Sequence, residues 1–381
     1  MTGRAYLDHA STSPARPQVI EAMLPWWAGD HAGDPGRVHT EGRMARAAVE
    51  DARDSVAALV GARNREVVFT SGATEAINAA VFGALAASAE HGGGRRVVAA
   101  AVEHSAVLDS SRRAGEVTTV PVDRLGRIDA AAFVAALAGG DVALAHVQWA
   151  NHEVGTLQPV GEIVAACRER GVLVHVDAAQ AGGHVAIGFA DLGADLLSIS
   201  AHKFGGPKGA GALLVRRGLR LPALIVGGEQ ERARRGGIEN VPAIIGFGAA
   251  ASAVDVAGEA GVQSALVDRI VAAATAVDGV VSFGDRSPGG RLPHLACFGI
   301  DDVEAEPVLL ALDQAGIAVH SGSSCSSESL EPSPVLEAMG VEAERSLRVS
   351  VGWSTTDADV DAFLAAFPAV LDRLRALRRS S

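Results

Sequence analysis

The pattern of apolar and polar positions divides the first two thirds of the chain into alternating helical and strand-like stretches. Apolar side chains recur every three or four residues from Glu41 to Val60, and Gly61 follows, so a helix is predicted there. Its predicted buried face consists of Met44, Ala48, Ala52, Val56 and Leu59. The same spacing predicts further helices at Ala73–Ala89, Ala130–Ala138, Val160–Arg170 and Val241–Ala257.

Short runs that are apolar almost throughout lie between these helices and predict strands. They are Val67–Phe69, Val97–Val102, Val142–Val147, Val172–Val176, Leu196–Ile199 and Ala212–Val215. Runs without polar alternation are typical of a sheet that is covered on both faces. Strands that alternate with helices in this way predict an α/β domain with a mostly parallel central sheet between helices.

The pattern changes after about residue 260. The stretch Asp278–Pro293 is rich in Gly, Asp, Ser and Pro and predicts turns between shorter elements, whereas Val303–Ala315 and Asp357–Arg378 have helical spacing. These features predict a smaller α+β domain at the C-terminal end, against which the first residues of the chain fold. The predicted division is 14–258 for the large domain and 1–13 plus 259–381 for the small one.

Composition excludes several classes of protein. Hydrophobic residues make up 48% and charged residues 20%, which argues against disorder, and a net charge of -12 argues against direct nucleic-acid binding. No apolar run approaches the roughly 18 residues of a membrane helix. Because Met1–Pro17 has no apolar signal core, we expect no membrane association and a cytoplasmic location. Cys167, Cys297 and Cys325 form no CxxC pair, which argues against a disulfide framework and a metal site.

The basic residues are divided very unevenly between arginine and lysine. Of the 33 basic side chains, 31 are arginines, and the two lysines, Lys203 and Lys208, stand within six residues of each other. Arginine cannot replace lysine where an amine must lose its proton and act as a nucleophile. The count therefore points to amine chemistry at one lysine, although two lysines must lie somewhere and chance explains their position about as well.

Three segments at predicted strand ends have the residues of a cofactor site. Phe69–Glu75 ends a strand, turns through glycine and starts a helix whose free N–H groups suit a phosphate, although an ordinary helix cap fits as well. Asp177 ends a buried strand, where a carboxylate either holds a protonated ring nitrogen or caps a turn. Lys203 follows a strand, where a fixed and partly desolvated lysine can form a Schiff base, whereas Lys208 is expected at the loop surface.

In combination, the phosphate cradle, the acid and the lysine predict pyridoxal 5'-phosphate (PLP) as cofactor. The segment His320–Pro332 adds Cys325, in a small polar loop. Cys167 and Cys297 have apolar neighbours and are predicted to be inert core thiols. A thiol in a Ser/Gly loop is open to oxidation, so its presence indicates that Cys325 has a function. The alternative is a surface cysteine that is merely tolerated.

With these residues, the chain resembles the cysteine desulfurases, PLP enzymes of the class V aminotransferase group, and specifically their NifS/IscS-like branch. The resemblance implies the PLP-dependent transferase fold (fold type I) and extends over nearly the whole chain. It is carried by Tyr6–Pro14, Phe69–Glu75, Glu103–Leu108, Asn151–Gly155, His175–Gln180, Ser200–Gly211, Gly227–Asn240, Ser321–Ser327, Pro334–Gly340 and Ser346–Gly352.

The resemblance implies how the cofactor is held. Lys203 would carry PLP covalently, Asp177 would pair with the pyridine nitrogen, and Gln180 would contact the ring oxygen. His104 would stack on the ring and help to move protons. His152 would lie against the cofactor, where the family has Asn. The phosphate would be bound by Ala73, Thr74, Ser200 and His202.

The resemblance also implies the reaction. Arg348 would bind the carboxylate of L-cysteine, with Asn151 as a further substrate contact, and Cys325 would attack the substrate sulfur. The products would be L-alanine and a persulfide on Cys325, for transfer to a sulfur-acceptor protein in iron–sulfur cluster or other thio-cofactor biosynthesis.

A homodimer is implied as well, with Gly236–Asn240 close to the partner's cofactor. Ile238 stands where the family has a Thr that reaches the phosphate of the neighbouring subunit. This change and His152 together predict weaker retention of PLP.

Two other functions stay open at this point. One is a PLP lyase of the same fold that acts on selenocysteine or cystine, and the other is a non-catalytic partner in a sulfur-transfer complex. The presence of Lys203, His104, Cys325 and Arg348 together argues against the second, because a scaffold needs none of them. The sequence also does not identify the sulfur acceptor. An iron–sulfur scaffold, tRNA thiolation and natural-product sulfuration all stay open.

Overall fold

The computed structural model describes residues 3–29, 31–321 and 332–380. In this part of the chain the helices are α1 (Pro17–Ala28), α2 (Thr40–Leu59), α3 (Ala73–Glu90), α4 (Ser105–Ala114), α5 (Ala130–Ala136), α6 (Val160–Glu169), α7 (Phe189–Leu192), α8 (Gln230–Ala233), α9 (Val241–Ala253), α10 (Val256–Thr275), α11 (Ala305–Gln314), α12 (Pro334–Ala338) and α13 (Asp357–Ser380). The strands are β1 (Ala5–Tyr6), β2 (Val67–Thr70), β3 (Arg96–Ala100), β4 (Glu116–Val120), β5 (Val142–Gln148), β6 (Val174–Asp177), β7 (Leu196–Ser200), β8 (Gly211–Val215), β9 (Val280–Phe283), β10 (Leu295–Ile300), β11 (Ile317–Ala318), β12 (His320–Ser321) and β13 (Ser346–Ser350).

A seven-stranded sheet in the order β2-β8-β7-β6-β5-β3-β4 forms the centre of the larger part. Strand β8 runs opposite to the other six strands of this sheet, so the predicted, mostly parallel α/β fold is confirmed. All six predicted strands are present, each within two residues of its predicted ends. The additional strand β4 lies at the sheet edge and is only partly buried, so it has no continuous apolar run.

Both faces of this sheet are apolar, which explains the lack of alternation in its strands. In β8, Ala212 and Leu214 pack in one hydrophobic cluster with residues of α2 and α9. Leu213 and Val215 pack in a second cluster with residues of α3. Successive side chains of a strand point to opposite faces, so a sheet between two helical layers needs an apolar residue at every position.

Two predicted helices differ from those observed, and the helices α1 and α4 were not predicted. In α2 the buried face is formed by Gly42, Ala45, Val49, Ala52, Arg53 and Val56. Met44, which was predicted to be on that face, is 48% exposed. The predicted helix Val241–Ala257 is two helices, because Asp255 caps the start of α10 by accepting a hydrogen bond from Gly258 N at 3.1 Å.

A second sheet, antiparallel and in the order β12-β13-β10-β9, has its own hydrophobic cluster with residues of α10, α11 and α13. It confirms an α+β arrangement for the C-terminal part. Its strand β9 lies inside the stretch that was predicted to form turns. Near the start of the chain, β1 pairs with β11, and Asp8 forms a bridge with Ser350. The exact division into 14–258 and 1–13 plus 259–381 stays a prediction.

No single helix in the described ranges is long and apolar enough to cross a membrane. The helices α9 and α10 reach that length and composition only as a pair, and they meet at a bend of 77°.

Candidate active site

A cavity of about 540 Å³ opens at the carboxyl edge of the seven-stranded sheet. Parallel strands end at the same edge, and the last residues of β5, β6 and β7, which are Gln148, Asp177 and Ser200, line this cavity. The cavity brings together ten of the predicted site residues. They are Ala73, Thr74, His104, His152, Asp177, Gln180, Ser200, His202, Lys203 and Arg348.

Lys203 is fixed by the first residues of the chain. It lies in a single 3-10 turn, Ala201–Phe204, that follows β7 and ends at Gly205 with a φ of 89°. A Cβ at Gly205 would lie 2.7 Å from the Arg16 side chain, so only glycine fits there. The Nζ of Lys203 donates hydrogen bonds to the carbonyl oxygens of Ala10, at 2.6 Å, and Ser11, at 3.2 Å.

Two carboxyl groups lie together at the end of β6. Asp177 is 8% exposed and accepts hydrogen bonds from Ser198 Oγ and Ala179 N, both at 3.0 Å. Glu103 is buried nearby and accepts a hydrogen bond from Gln148 N at 2.8 Å. Burial, followed by the charge of Asp177, raises the pKa of Glu103 to about 8. Glu103 therefore keeps its proton at neutral pH and adds no second negative charge.

The cavity also has the groups of an anion site. It contains the first residues of α3, whose leading N–H groups have no acceptor within the helix. His202 faces them, with Nδ1 3.1 Å from Thr12 Oγ1. Burial, followed by the charges of Lys203 and Lys208, lowers the pKa of His202 to about 4, so it is neutral at pH 7. Lys208 is exposed, as predicted, but it also lines this cavity.

Two histidine rings form one wall. The Nδ1 of His104 accepts a hydrogen bond from Ala106 N at 3.0 Å, so a neutral His104 has its proton on Nε2. Its ring contacts the edge of His152 at 5.1 Å between centroids. His152 Nε2 lies 3.5 Å from Glu153 Oε1, and Glu153 Oε2 accepts a hydrogen bond from Ser333 Oγ at 2.5 Å. Burial alone would raise the pKa of Glu153. Its interactions with His152, then Ser333, then Arg348 outweigh burial and lower that pKa.

Arg348 reaches the cavity from β13 of the smaller sheet and is 1% exposed. Its Nη1 donates to the backbone oxygen of His152 at 2.9 Å. Its Nη2 donates to Ser11 Oγ at 2.6 Å and to Asp8 Oδ1 at 3.2 Å. The buried Nε has no hydrogen-bond partner among the described residues. A guanidinium with a spare donor is suited to a carboxylate ligand.

Two predicted site residues are not part of this lining. Asn151 is buried beside the wall, where its Oδ1 accepts hydrogen bonds from Glu153 N and Val154 N, both at 2.9 Å. Its Nδ2 donates to Val102 O at 3.2 Å, so both polar atoms of the side chain bond to backbone groups. Cys325 lies outside the described residues. The roles of both stay predictions.

The sequence reasoning did not single out four residues that the site uses. Ser11, Thr12 and Gln148 line the cavity, and Glu103 lies behind it. Ser11 and Thr12 belong to the segment Tyr6–Pro14 that carried part of the resemblance, which is the signal that could have found them.

The residues present fit PLP. The cavity has the volume of a small-molecule site. It holds a lysine, a buried carboxylate and a helix start at separate positions, as the aldehyde, the pyridine nitrogen and the phosphate of PLP require. In addition, Gln180 lines the cavity, and one of the two polar positions of its buried amide has no hydrogen-bond partner in the described ranges, so a polar group of a ligand can satisfy it.

Comparisons with known proteins agree with this site. The family model for aminotransferase class-V matches residues 5–363. The chain is 40% identical to a cysteine desulfurase IscS 1 of Archaeoglobus fulgidus, with 98% of each chain covered. It is 41% identical to a cysteine desulfurase of Cereibacter sphaeroides, with 98% of this chain and 97% of the relative covered. A solved NifS-like protein superposes with a TM-score of 0.89 at 30% identity, over 97% of this chain and all of the other.

The fold and the site thus define a PLP-dependent enzyme, and the chain belongs to the aminotransferase class-V family. Within that family it is a cysteine desulfurase of the NifS/IscS-like kind, as its full-length relatives show.

Proposed function

We propose that this chain moves the sulfur of L-cysteine onto Cys325 as a persulfide and then passes it to an acceptor protein. The observation that carries the proposal is the position of the residues on either side of 322–331. Ser321, in β12, is paired with Leu347 next to Arg348. On the other side, Ser333 donates to Glu153, beside His152 of the cavity wall. Both flanks of the cysteine segment therefore start from the rim of the site.

The chain length permits contact with the substrate. Cys325 is four positions beyond Ser321, and an extended chain spans roughly 3.3–3.6 Å per residue. A thiol at Cys325 can thus reach about 14 Å from the rim. That distance covers an amino acid whose carboxylate lies on Arg348. A related solved structure, SspA in complex with cysteine, has a TM-score of 0.80 and 31% identity to this chain, which supports L-cysteine as the substrate.

Each residue of the cavity then has a task. PLP, when bound, draws electrons from the substrate Cα and so weakens the bond between Cβ and sulfur. Arg348 orients the substrate carboxylate, and Asp177 supplies the negative charge that keeps the pyridine nitrogen protonated. Lys203 Nζ holds the cofactor and moves the proton at the substrate Cα. His104, with its proton on Nε2, exchanges a proton with the substrate thiol.

The sulfur transfer balances without an outside oxidant. The Cys325 thiolate attacks the substrate sulfur, a sulfur–sulfur bond forms, and the bond between Cβ and sulfur breaks. The electron pair of the broken bond stays on Cβ, which takes up a proton. L-cysteine and a thiol thus become L-alanine and a persulfide. A reducing acceptor thiol later removes the terminal sulfur.

The test is alanine release from L-cysteine with dithiothreitol by the PLP-loaded wild type, Cys325→Ala and Cys167→Ala. Cys167 is a buried thiol of α6, so its loss is a matched control. We expect alanine from the wild type and from Cys167→Ala and none from Cys325→Ala. Pyruvate from all three proteins would replace the proposal with a simple lyase. Equal alanine release by Cys325→Ala would refute a persulfide on Cys325, because the sulfur would then leave to another thiol.

We also propose that the active form is a homodimer in the cytoplasm. Four exposed apolar side chains support an association surface, namely Leu224, Ile225, Val226 and Ile238. Gly236 N donates to Ile225 O at 2.8 Å, which holds the two segments of this surface together. A neighbouring hollow contains Ile238 and shares Ser71 and Gly209 with the lining of the main cavity. A second copy on this surface would therefore lie next to the phosphate end of the site.

A further inference from the structure

Behind the cavity wall lies a pair of stacked histidines, His184 and His294, which we call the stacked pair. Their ring centroids are 3.6 Å apart and the planes differ by 15°. Both rings are buried, and burial is the first cause that lowers the pKa of each. Each ring is therefore neutral at physiological pH and has one N–H.

The contacts of His184 define where its proton lies. Its Nε2 is 3.2 Å from the carbonyl oxygen of Lys203, which can only accept, so the proton is on Nε2. Its Nδ1 must then accept, but it faces Gln263 Oε1 at 3.2 Å. Because the Nε2 of Gln263 is buried without a partner in the described ranges, turning this amide over gives both residues a hydrogen bond.

The same reasoning applies to His294 and Gln180. The Gln180 Nε2 lies 2.9 Å from the His294 Nε2, while Gln180 Oε1 and His294 Nδ1 are both buried with no partner in the described part of the chain. In that orientation His294 accepts, and its proton on Nδ1 is a buried N–H without an acceptor, which is costly. With the amide turned over, His294 Nε2–H donates to Gln180 Oε1. The Gln180 NH₂ then takes the amide position that has no partner, in a side chain that lines the cavity.

We propose that His294 is a positioning residue that fixes Gln180 as a hydrogen-bond donor toward the ring oxygen of the cofactor. The inference rests on the proposed use of this cavity for PLP. If His294 had its proton on Nδ1, Gln180 would present an acceptor oxygen to a ring oxygen that is itself negative. The tautomer of one buried histidine therefore decides whether Gln180 attracts or repels the cofactor at that atom.

The stacked pair also connects two parts of the site. His184 donates to the backbone of Lys203, and His294 donates to Gln180, while the two rings lie face to face. A phenyl ring at position 294 keeps the stacked face and removes both ring nitrogens, of which Nε2 holds Gln180 and Nδ1 has no hydrogen-bond partner in the described part of the chain. This makes His294→Phe the most selective variant for the test.

The experiment uses PLP-loaded wild type, His294→Phe, Gln180→Leu and the double variant, without substrate. Absorption spectra between about pH 6 and 10 give the midpoint of the spectral change, and dialysis gives the rate of PLP release. A donor to the ring oxygen stabilises the high-pH form, in which that oxygen is more negative, so its loss raises the midpoint. We expect a rise of about one pH unit, which is a tenfold change in proton affinity, and about tenfold faster PLP release in His294→Phe. The double variant should match Gln180→Leu alone.

His146→Phe is the matched control. His146 is also fully buried with one ring nitrogen paired, at 2.9 Å from His175 Nδ1, but it does not line the cavity. It should change stability and leave the midpoint unchanged. An unchanged midpoint in folded His294→Phe, or a full further shift when His294→Phe is added to Gln180→Leu, would overturn the proposal.

A measurement on the wild type avoids substitution altogether. Neutron diffraction from crystals of the PLP-loaded protein locates the deuteron of His294. A deuteron on Nε2 supports the assignment, and one on Nδ1 overturns it even if His294→Phe does not fold. Both measurements are made without L-cysteine, so a wild type that binds PLP but releases no alanine refutes the desulfurase proposal separately.

Discussion

At the residue scale, the two lysines of the chain have different surroundings. Lys203 is half-buried, and two backbone carbonyls of the N-terminal segment hold its Nζ inside the cavity. Lys208 lines the same cavity but is exposed. The two lysines are therefore chemically different, although they are five positions apart.

Exchange of each lysine for arginine tests this difference. Lys203→Arg keeps the charge but cannot bind an aldehyde, so we expect loss of borohydride-trappable PLP and at least about a hundredfold lower alanine release. Lys208→Arg should keep both properties. Mass spectrometry after borohydride reduction and the alanine assay measure the two effects, and trapped PLP in Lys203→Arg would contradict the assignment.

Glu103 gives a prediction for the pH dependence of stability. Its pKa is about 8 in the folded protein, against an ordinary value of 4.5, because burial and Asp177 disfavour its charge. Between these values the folded state keeps a proton that the unfolded state releases, so this group stabilises the fold in acid and loses that effect as pH rises through 8. Glu103→Gln is neutral throughout, so its free energy of unfolding relative to wild type should rise by about 3 kcal/mol between pH 5 and pH 8.

Urea unfolding of both proteins at the two pH values measures the effect. Glu153→Gln is the comparison with opposite sign. Since His152 and Ser333 help to lower the pKa of Glu153, this substitution should be most harmful at neutral pH and less harmful in acid. A difference between wild type and Glu103→Gln that does not change with pH would mean that Glu103 is ionised in the folded protein.

Sequence reasoning at this scale found residues that line the cavity and missed residues that support them. Lys203, Asp177 and Arg348 stand in recognisable segments. The hydrogen bonds of Asn151 to Val102 and of His294 to Gln180 depend on residues brought together by the fold. No local pattern indicates a partner that is 114 positions away.

At the element scale, the segment α8 is a strained turn. Glu231, Arg232 and Ala233 have φ values of 49°, 60° and 60°, which are left-handed and unfavourable for residues with a Cβ. The buried carboxylate of Glu231 accepts two hydrogen bonds from Arg53, at 2.6 and 2.8 Å, and one from Phe69 N at 2.9 Å. This paired charge between α2, β2 and α8 holds the turn in place.

The turn predicts an unusual effect of glycine. Ala233→Gly should raise the free energy of unfolding by about 0.5–1 kcal/mol, because glycine adopts a positive φ without strain. Ala47→Gly, at an exposed position inside α2, should lower it by a similar amount. Thermal and urea unfolding of the two variants measure the change in the free energy of unfolding. Destabilisation by Ala233→Gly would show that the turn is not strained.

The contacts of α2 explain why Met44 was wrongly predicted to be on its buried face, although Ala52 and Val56 were predicted correctly. The pattern favoured Met44 because it is large and apolar, but the close approach of α9 selects small residues. A Cβ at Gly248 of α9 would lie 2.6 Å from Ala52 Cβ. Arg53 is buried because its partner Glu231 comes from a distant segment. Hydrophobic spacing indicates a helix but cannot reveal which neighbour it packs against.

At the scale of the whole molecule, the cavity depends on both sheets. Lys203 and Asp177 follow strands of the parallel sheet, whereas Arg348 belongs to the antiparallel one. Ser11 connects them, since its backbone oxygen accepts from Lys203 and its hydroxyl accepts from Arg348. A small relative movement of the two sheets would therefore change the distance between the cofactor and the substrate carboxylate.

The proposed dimer gives the prediction at this scale. Ile238→Asp places a charge at a side chain that is 63% exposed in the isolated chain, and it should convert the protein to a monomer and weaken PLP retention. Val262→Asp is the matched control, since Val262 is 61% exposed and lies on α10. Light scattering after gel filtration measures both masses, and a dimer that persists in Ile238→Asp would place the interface elsewhere.

The contrast between the two lysines has a practical consequence for labelling. When PLP occupies Lys203, the side chain of Lys208 is the sole lysine amine left for acylating reagents, besides the α-amino group. A fluorophore attached there would sit at the mouth of the cavity, on a protein that needs no engineered cysteine or deleted lysine. Its emission would then report, molecule by molecule, when a substrate enters and when a partner docks over the opening.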